Sequence, residues 1–401
     1  MREDPATGDA GLLPPVDVPA MRRERLARLR TVLAEADVAA AVFYDPINIR
    51  YATDVSNMQV WCLHNPTRYA YVATDGPVIQ FDFHTCEILS EGVETVDEVR
   101  PSVSWTYFMA GPGAEDAAAH WASEIADLVT AHGGGNRRLA VDRLEFTGFL
   151  ALQRLGIEVV DGQGLAEQAR VMKTPQELNA MRACVAACED GVRATMAASR
   201  PGMTENEVWS VLHQHNIASG GEWIETRLLS SGPRTNPWYQ ESSDRVIEAG
   251  DLIGLDTDLI GRYGYCCDIS RTWRVGGGKA SDEQRRTYAR AHRVLNGILE
   301  LVGPGVTLRQ ISERVGPPPE DCKVYTCLVH GVGMCDEYPA GSWVTQSRGY
   351  DATLKPGMTI CVESYLGPDG AREGVKLEEQ VLITVTGIEM LSTLPLEEAW
   401  L

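Results

Sequence analysis

The stretch DLIGLDTDLIGRYGYCCDISRTW, residues 251–273, places three aspartates in a pattern that predicts two paired strands. The apolar run 252–255 predicts a strand, and Asp256 and Asp258 leave its end two residues apart, so their side chains point to one face. A glycine turn and a second strand then place Asp268 opposite them. Carboxylates this close repel one another unless a cation or water separates them. Taken alone, the stretch fits a metal site and solubilising hairpin loops about equally.

Three further charged residues lie in apolar, strand-like runs downstream: His330 in LVHGVGM, Glu363 in MTICVESY and Glu378 in GVKLEEQVLI. A charged side chain in such a run is costly unless it is paired or bound to a metal. One such residue is usually a satisfied core residue, but the recurrence of the pattern predicts a carboxylate-rich dinuclear metal centre. Its predicted ligands are Asp256, Asp258, Asp268, His330, Glu363 and Glu378.

The overall composition excludes several classes of function. The chain has 36 basic and 56 acidic residues, a net charge of -20, which disfavours nucleic acid and anionic membrane surfaces as partners. No secretory signal pattern and no apolar run of about 18 residues is present, so no membrane span is expected. The ten cysteines show no paired CxxC spacing and are expected to be reduced. We therefore expect a cytoplasmic protein.

A chain of 401 residues is too long for one typical core, and alternating strand and helix patterns indicate a two-domain protein of the α/β (α+β) class. Apolar spacing predicts a helix from about Met21 to Ala36, a strand over 40–44 and a helix over 114–132. Thr174 and Pro175 predict the start of a further helix. The predicted divisions are a flexible segment 1–20, an N-terminal domain 21–165 and a catalytic domain 166–401.

The order and context of these residues resemble the pita-bread metallopeptidase family of prolidase, aminopeptidase P, methionine aminopeptidase and creatinase. DPINIRYATDV (45–55) resembles the signature of that family's N-terminal domain, and RVMKTPQEL (170–178) resembles the entry to its catalytic domain. The resemblance therefore implies a creatinase-like N-terminal domain followed by a pita-bread catalytic domain. The five ligands of the family map onto Asp256, Asp268, His330, Glu363 and Glu378.

The departures from the peptidase pattern are specific. Asp258 is an additional candidate ligand, and HGVGMCDEYP places Asp336 where the peptidases carry a proton-shuttling histidine. In SSGPRTNPWYQ (230–240), Trp238 and Tyr239 stand where a further peptidase histidine is expected. A chain without these two histidines is poorly equipped to bind and protonate a peptide.

With these replacements the chain is similar to the dimethylsulfoniopropionate lyases of the DddP type, which share the fold. DTDLIGRYGYCCDISRTW, GPRTNPW, HGVGMCDE and the spacing from Tyr325 to His330 carry this similarity. It implies β-elimination of a zwitterionic sulfonium carboxylate to dimethyl sulfide and acrylate. It favours two iron ions, with manganese, zinc and cobalt also suited to such donors. It also implies a homodimer.

The chemistry of that reaction suggests further roles. Metal ions would bind the substrate carboxylate, and Asp336, beside the metal-binding histidine, is the candidate base for the α proton. Aromatic faces suit the sulfonium group. The candidates are Trp61, Trp238, Tyr239 and Tyr325. Trp238 and Tyr325 are about equally well explained as core or interface residues. Trp61 is better explained in that way, and its role at the site would depend on a dimer.

Two other functions stay open at this stage. One is an Xaa-Pro dipeptidase or aminopeptidase with altered groups around the metals, against which the missing histidines argue. The other is a binding module without catalytic activity on the same fold. Retention of every metal ligand argues against a binding module, because six converging charged groups would be a burden without metal.

Overall fold

A computed structural model of the chain describes residues 13–343, 350–397 and 400. The chain forms two compact units: residues 17–170, and residues from 171 onward together with 13–16. The division therefore falls a few residues after the predicted one. Within the described ranges, no helix is both long and apolar enough to cross a lipid bilayer. The mixed α/β class is confirmed.

The N-terminal unit contains seven helices and six strands. The helices are α1 (Val18–Glu35), α2 (Pro46–Thr53), α3 (Gln59–His64), α4 (Tyr107–Ala110), α5 (Ala114–His132), α6 (Phe146–Arg154) and α7 (Gly162–Arg170). The strands are β1 (Ala40–Phe43), β2 (Tyr69–Ala73), β3 (Val78–Asp82), β4 (Glu98–Pro101), β5 (Arg138–Val141) and β6 (Glu158–Asp161). They form one sheet in the order β4-β3-β2-β1-β5-β6.

The start of α1 differs from the prediction. Asp17 caps the helix by accepting a hydrogen bond from the backbone N of Ala20 at 3.0 Å, so the helix begins at Val18 rather than near Met21. Three residues of the predicted flexible segment 1–20 are therefore helical, while residues 1–12 lie outside the described residues. The predicted helix over 114–132 is confirmed, and the predicted strand over 40–44 spans Ala40–Phe43.

In its described residues, the C-terminal unit contains four helices and twelve strands. The helices are α8 (Pro175–Ala198), α9 (Glu205–Ala218), α10 (Asp282–Leu299) and α11 (Leu308–Val315). The first strands are β7 (Trp223–Ile224), β8 (Leu229–Ser231), β9 (Leu252–Asp256), β10 (Leu259–Ile260), β11 (Cys266–Cys267) and β12 (Ser270–Arg274). The later strands are β13 (Cys322–Val324), β14 (Cys327–Val332), β15 (Asp336–Ser342), β16 (Thr359–Pro368), β17 (Val375–Ile383) and β18 (Ile388–Met390).

The helix α8 begins as predicted. The Thr174 side chain accepts from the backbone N of Glu177, the Glu177 carboxylate accepts from the backbone N of Thr174, and Pro175 occupies the first turn. This reciprocal capping satisfies backbone donors that would otherwise be unpaired.

The strands of this unit form three antiparallel sheets, with orders β12-β9-β8, β11-β10-β7 and β15-β14-β16-β17-β18, and β13 pairs with β16. Helices α10 and α11 cover the largest sheet, and their apolar residues share one buried core with β14, β16 and β17. All ten cysteines are free thiols, as predicted.

Candidate metal centre

The first two aspartates reach the site by different routes. Asp256 is the last residue of β9, whereas Asp258 follows it in a left-handed backbone conformation with φ of 35°. Strand alternation therefore does not explain the position of Asp258, because the strand ends at Asp256, but the two carboxylates converge as predicted. The Asp258 carboxylate accepts a hydrogen bond from the Thr226 hydroxyl, which helps to hold it in place.

Asp268 lies in the second half of the predicted hairpin. The pairing of the two halves is confirmed. Strands β12 and β9 pair with Ser270 opposite Asp256, and β11 and β10 pair with Cys267 opposite Leu259. Asp268 lies between β11 and β12, and ligand atoms of Asp256, Asp258 and Asp268 all lie within 4.8 Å of one another.

The large sheet supplies the other candidate ligands. His330 on β14 pairs with Cys361 on β16, and Glu363 on β16 lies directly opposite Glu378 on β17. Asp268, His330, Cys361 and Glu378 each offer an atom within 4.8 Å of the others. The sequence analysis missed Cys361, although its position two residues before Glu363 places both on one face of the strand. Its thiol donates to the backbone O of Asp268 at 3.5 Å.

The two edges of the His330 ring face different groups. The Nε2 atom lies 3.6 Å from Oδ2 of Asp268, 3.6 Å from Oε1 of Glu363 and 3.4 Å from Oε1 of Glu378. The Nδ1 atom lies 3.0 Å from the backbone O of Gly331 and 3.5 Å from Oδ1 of Asp336. Nε2 is therefore the atom that points at the carboxylate cluster.

The two glutamates each divide their oxygens between two environments. In the described part of the chain, Oε1 of Glu363 and Oε1 of Glu378 are buried and accept no hydrogen bond. The Oε2 atoms instead lie 3.0 Å and 2.5 Å from Nζ of Lys376. Lys376 is a second residue that the sequence analysis missed, although it lies two residues before Glu378 and so on the same face of β17.

Crowding of buried carboxylates shifts their proton affinities. Burial raises the pKa of Asp256, of Asp258 and of Glu363 to about 7 in each case. For Glu378, burial is outweighed by the charges of Lys376 and His330, which lower its pKa. Because these buried acids resist being ionised at the same time, bound cations would stabilise their charged forms.

Asp336 lies at the start of β15, outside the two groups of metal-capable residues. The pairing of β14 with β15 shifts register after His330, so that Gly331 lies opposite Glu337 and Val332 opposite Asp336. This shift brings Asp336 beside His330, while its side chain remains 59% exposed. The neighbouring Glu337 is anchored by a buried ion pair of 2.7 Å to Lys173.

Comparison with known proteins agrees with this architecture. Residues 179–385 match the profile of metallopeptidase family M24, and residues 25–172 match the Creatinase/Prolidase N-terminal domain. The chain belongs to metallopeptidase family M24. The resemblance drawn from the sequence to the pita-bread enzymes is thereby confirmed.

Two relatives within family M24 match almost the whole chain. The dimethylsulfoniopropionate lyase DddP of Roseovarius nubinhibens is 43% identical over 399 residues, covering 97% of this chain and 89% of that protein. The enzyme of the same name from Roseobacter denitrificans is 42% identical, covering 96% and 88%. The Xaa-Pro dipeptidase structure from Bacillus anthracis has a TM-score of 0.75 at 23% identity, covers 94% of this chain and 99% of that chain, and so shares the fold. The M24 chain is therefore an enzyme, as expected.

The donor set of this M24 chain fits a divalent metal. Five buried carboxylates and one imidazole converge, and two carboxylate oxygens within that set lack hydrogen-bond donors among the described residues. Oxygen-rich sites with one imidazole suit manganese, iron, cobalt and zinc. Membership of family M24 and the buried cluster together indicate divalent metal ions as cofactors.

The aromatic candidates of the C-terminal unit occupy different environments. Trp238 is buried, and its ring stacks on Tyr365 with centroids 5.9 Å apart. Nζ of Lys376 lies 5.9 Å from the Trp238 ring centroid and 5.6 Å from that of Tyr325, so both rings already face an internal cation. Tyr239 is 59% exposed and meets the Tyr325 ring edge-on at 5.2 Å. Tyr239 is therefore the most accessible ring of the three.

Trp61 belongs to the N-terminal unit. Its ring packs edge-to-face against Phe83 at 5.8 Å and Phe108 at 6.5 Å. These contacts account for its position on α3 by packing within that unit.

Proposed function

We propose that this enzyme cleaves dimethylsulfoniopropionate to dimethyl sulfide and acrylate by β-elimination. The observation that carries the proposal is 43% identity over 97% of the chain to an enzyme named as a lyase for that substrate. The position of Asp336 beside His330, where the M24 peptidases are expected to carry a histidine, supports the same reaction.

The proposed ligands hold two metal ions, preferentially iron. One position comprises Asp268, His330, Glu363 and Glu378, and the other comprises Asp256, Asp258 and Asp268. The bound ions would hold the substrate carboxylate and stabilise the negative charge that develops on it as the α proton leaves.

Asp336 is the proposed base. Its carboxylate would take the proton from the α carbon, and the electrons of that C–H bond would form the Cα–Cβ double bond as the Cβ–S bond breaks. Dimethyl sulfide leaves as a neutral molecule and needs no proton. Because the Asp336 side chain is 59% exposed, it can pass the acquired proton to water after each turnover.

The sulfonium end of the substrate requires a different environment. Aromatic faces attract such a cation by roughly 0.5–2 kcal/mol each. Tyr239 and Tyr325 are the proposed contacts on the catalytic unit, with Trp238 behind them. Trp61 is proposed as a contact contributed by the second subunit of a homodimer.

Xaa-Pro dipeptide cleavage is the alternative that the shared fold allows. Among the described residues of the two metal-capable groups, His330 is the only histidine. Without a second imidazole, protonation of a leaving amine is poorly supported.

The test is headspace gas chromatography for dimethyl sulfide after mixing metal-loaded protein with dimethylsulfoniopropionate. We expect the gas to appear, and to disappear with a chelator. Release of proline from Xaa-Pro dipeptides, with no dimethyl sulfide from fully metallated protein, would overturn the proposal in favour of the peptidase.

A further inference from the structure

A cleft of about 360 Å³ lies between helices α10 and α11 of the C-terminal unit, and none of the candidate metal ligands lines it. Its walls come from the two helices, and Trp343 and Leu366 add contacts from the residue after β15 and from β16. We call it the α10–α11 cleft. Its volume lies within the range of pockets that hold small molecules.

One face of α10 forms a wall of the cleft. Arg290, Arg293, Val294 and Gly297 line it, and their spacing of three or four residues places them on the same side of the helix. From Arg290 to Gly297 the helix rises by about 10 Å, at roughly 1.5 Å per residue. The cleft can therefore accommodate an extended ligand rather than only a single ion.

The floor of the cleft is largely aliphatic. Val294, Leu301 and Val315 line it and remain only partly buried, packed against a core that includes Leu366 and Trp343. An alkyl chain covering these side chains would remove apolar surface from water, which is favourable. The floor therefore suits a ligand with an apolar, chain-like body.

Three guanidinium groups border this apolar surface, those of Arg290, Arg293 and Arg314. No acidic residue is among the described residues that line the cleft. This concentration of positive charge occurs in a chain whose net charge is -20. An aliphatic floor bordered by positive charge is complementary to a ligand with an alkyl body and an anionic head.

Two of these arginines have a structural role. Arg290 donates two hydrogen bonds to the Asp321 carboxylate at 2.8 Å and 2.9 Å, and Arg314 lies in the last turn of α11, where a positive charge stabilises the helix. The Arg293 side chain makes no hydrogen bond or ion pair within the described part of the chain. Arg293 is also exposed, so its guanidinium is the one most available to an anion.

We propose that the α10–α11 cleft binds a medium-chain aliphatic monocarboxylate, with the carboxylate on Arg293 and the chain against Val294, Leu301 and Val315. A guanidinium can pair with both oxygens of a carboxylate, and its charge makes these hydrogen bonds stronger than those between neutral groups. Binding at this site neither requires nor tests the proposed lyase reaction, because no lining residue is a proposed metal ligand or base.

Gly297 offers a way to fill the cleft without disturbing the core. It lies within α10, and a Cβ atom built at this position would meet no other atom within 4 Å among the described residues. Leucine is a better helix former than glycine. Gly297→Leu would therefore place its side chain in the open space of the cleft while favouring the helix.

The test is isothermal titration calorimetry of the full-length protein with octanoate, acetate and 1-octanol. We expect octanoate to bind once per chain with a submillimolar dissociation constant. Acetate, which lacks the chain, and 1-octanol, which lacks the charge, should bind about tenfold more weakly or worse. Quenching by 8-bromooctanoate locates the site, because the bromine should quench Trp343 and Trp343→Phe should lose that part of the quenching.

Variants of the cleft give the second part of the test. Arg293→Gln should weaken octanoate binding by about tenfold or more, and Gly297→Leu should abolish it with a melting temperature at or above the wild-type value. Arg309→Gln removes an exposed arginine of α11 outside the cleft and should bind octanoate like the wild type. Dimethyl sulfide release should be unchanged in Gly297→Leu, so failure of this inference and failure of the proposed reaction are distinguishable.

Three results would overturn the inference. The first is a wild-type protein that does not bind octanoate. The second is equal affinity for octanoate and 1-octanol, which would mean that the cleft does not select an anion. The third is unchanged octanoate affinity in a Gly297→Leu protein shown to be folded by circular dichroism. Should that variant fail to fold, Arg293→Glu at an exposed position replaces it, and unchanged affinity there has the same meaning.

Discussion

Oδ1 of Asp336 lies 3.5 Å from Nδ1 of His330, on the ring edge opposite the one that faces the carboxylate cluster. One imidazole therefore separates the proposed base from the proposed metal ligands. Charge at the metal centre can therefore influence Asp336 across that ring, although Asp336 is not one of the clustered residues.

Replacing Asp336 should separate catalysis from metal binding. We expect Asp336→Ala to lower kcat for dimethyl sulfide release by about 10²–10⁴-fold, the usual contribution of a general base. Metal content and melting temperature should stay at wild-type values, because the side chain is largely exposed and outside the cluster. Headspace gas chromatography and elemental analysis give the two readings. Asp369→Asn, at another exposed carboxylate, is the control, and wild-type turnover in Asp336→Ala would refute the base assignment.

Substitution of Asp258 tests whether this additional aspartate is a metal ligand. Asp258→Ala removes one of the three carboxylates of its group, and we expect the protein purified at limiting metal to lose about one of two bound ions. Thr226→Val removes only the hydroxyl that donates to Asp258 and should have a smaller effect. Elemental analysis of both variants decides the matter. Unchanged occupancy in Asp258→Ala would mean that this aspartate is not a ligand.

Metal loading should remove a pH dependence of stability that the metal-free protein shows. Burial raises the pKa of Asp256, Asp258 and Glu363 to about 7, whereas unfolded carboxyls titrate near 4. Between these values the folded metal-free protein holds protons that the unfolded chain has released, so stability should fall as the pH rises from about 4 to 7. Bound metal displaces those protons and removes the decline.

Two measurements check this prediction. Urea midpoints at pH 5 and pH 7, with and without metal, give the slope. Calorimetric titration in buffers of different ionisation enthalpy counts the protons that metal releases. A metal-free protein that becomes more stable between pH 5 and pH 7 would contradict the expected direction.

The ion pair beneath Asp336 should be a major source of stability. Lys173 and Glu337 lie 2.7 Å apart with both side chains buried, so Lys173→Met removes the positive charge paired with a buried carboxylate. We expect a loss of about 3–5 kcal/mol in the free energy of unfolding. Lys323→Met breaks an exposed pair of 3.6 Å and should cost only about 0–1 kcal/mol. Urea denaturation measures the loss in each variant. Equal losses would show that the burial of an ion pair does not determine how much it contributes to stability.

The sequence predicted most of the cluster because strand periodicity can be read locally. The hairpin that brings Asp268 close to Asp256 follows from an apolar run, a turn and a second run. The pairing of Glu363 with Glu378 could not be read in this way, because it depends on the register between two strands of a sheet. Their buried charges nevertheless identified them as unusual.

Other features escaped prediction for related reasons. Lys376 lies on the same face of β17 as Glu378, but a lysine in a strand is ordinarily assigned to solvent, and the rings of Trp238 and Tyr325 that lie near it come from distant parts of the chain. Asp258 depends on a left-handed residue that strand alternation does not anticipate. Tertiary packing decided both outcomes.

The direct pairing of Glu363 with Glu378 has a consequence for how the protein matures. Like charges opposite one another normally oppose the zipping of two strands. The ammonium of Lys376, contributed by one of those same strands, touches both carboxylates and is present from the moment of synthesis. The chain thus supplies its own cation for closing the sheet, so the pairing of these two strands does not depend on a bound metal ion.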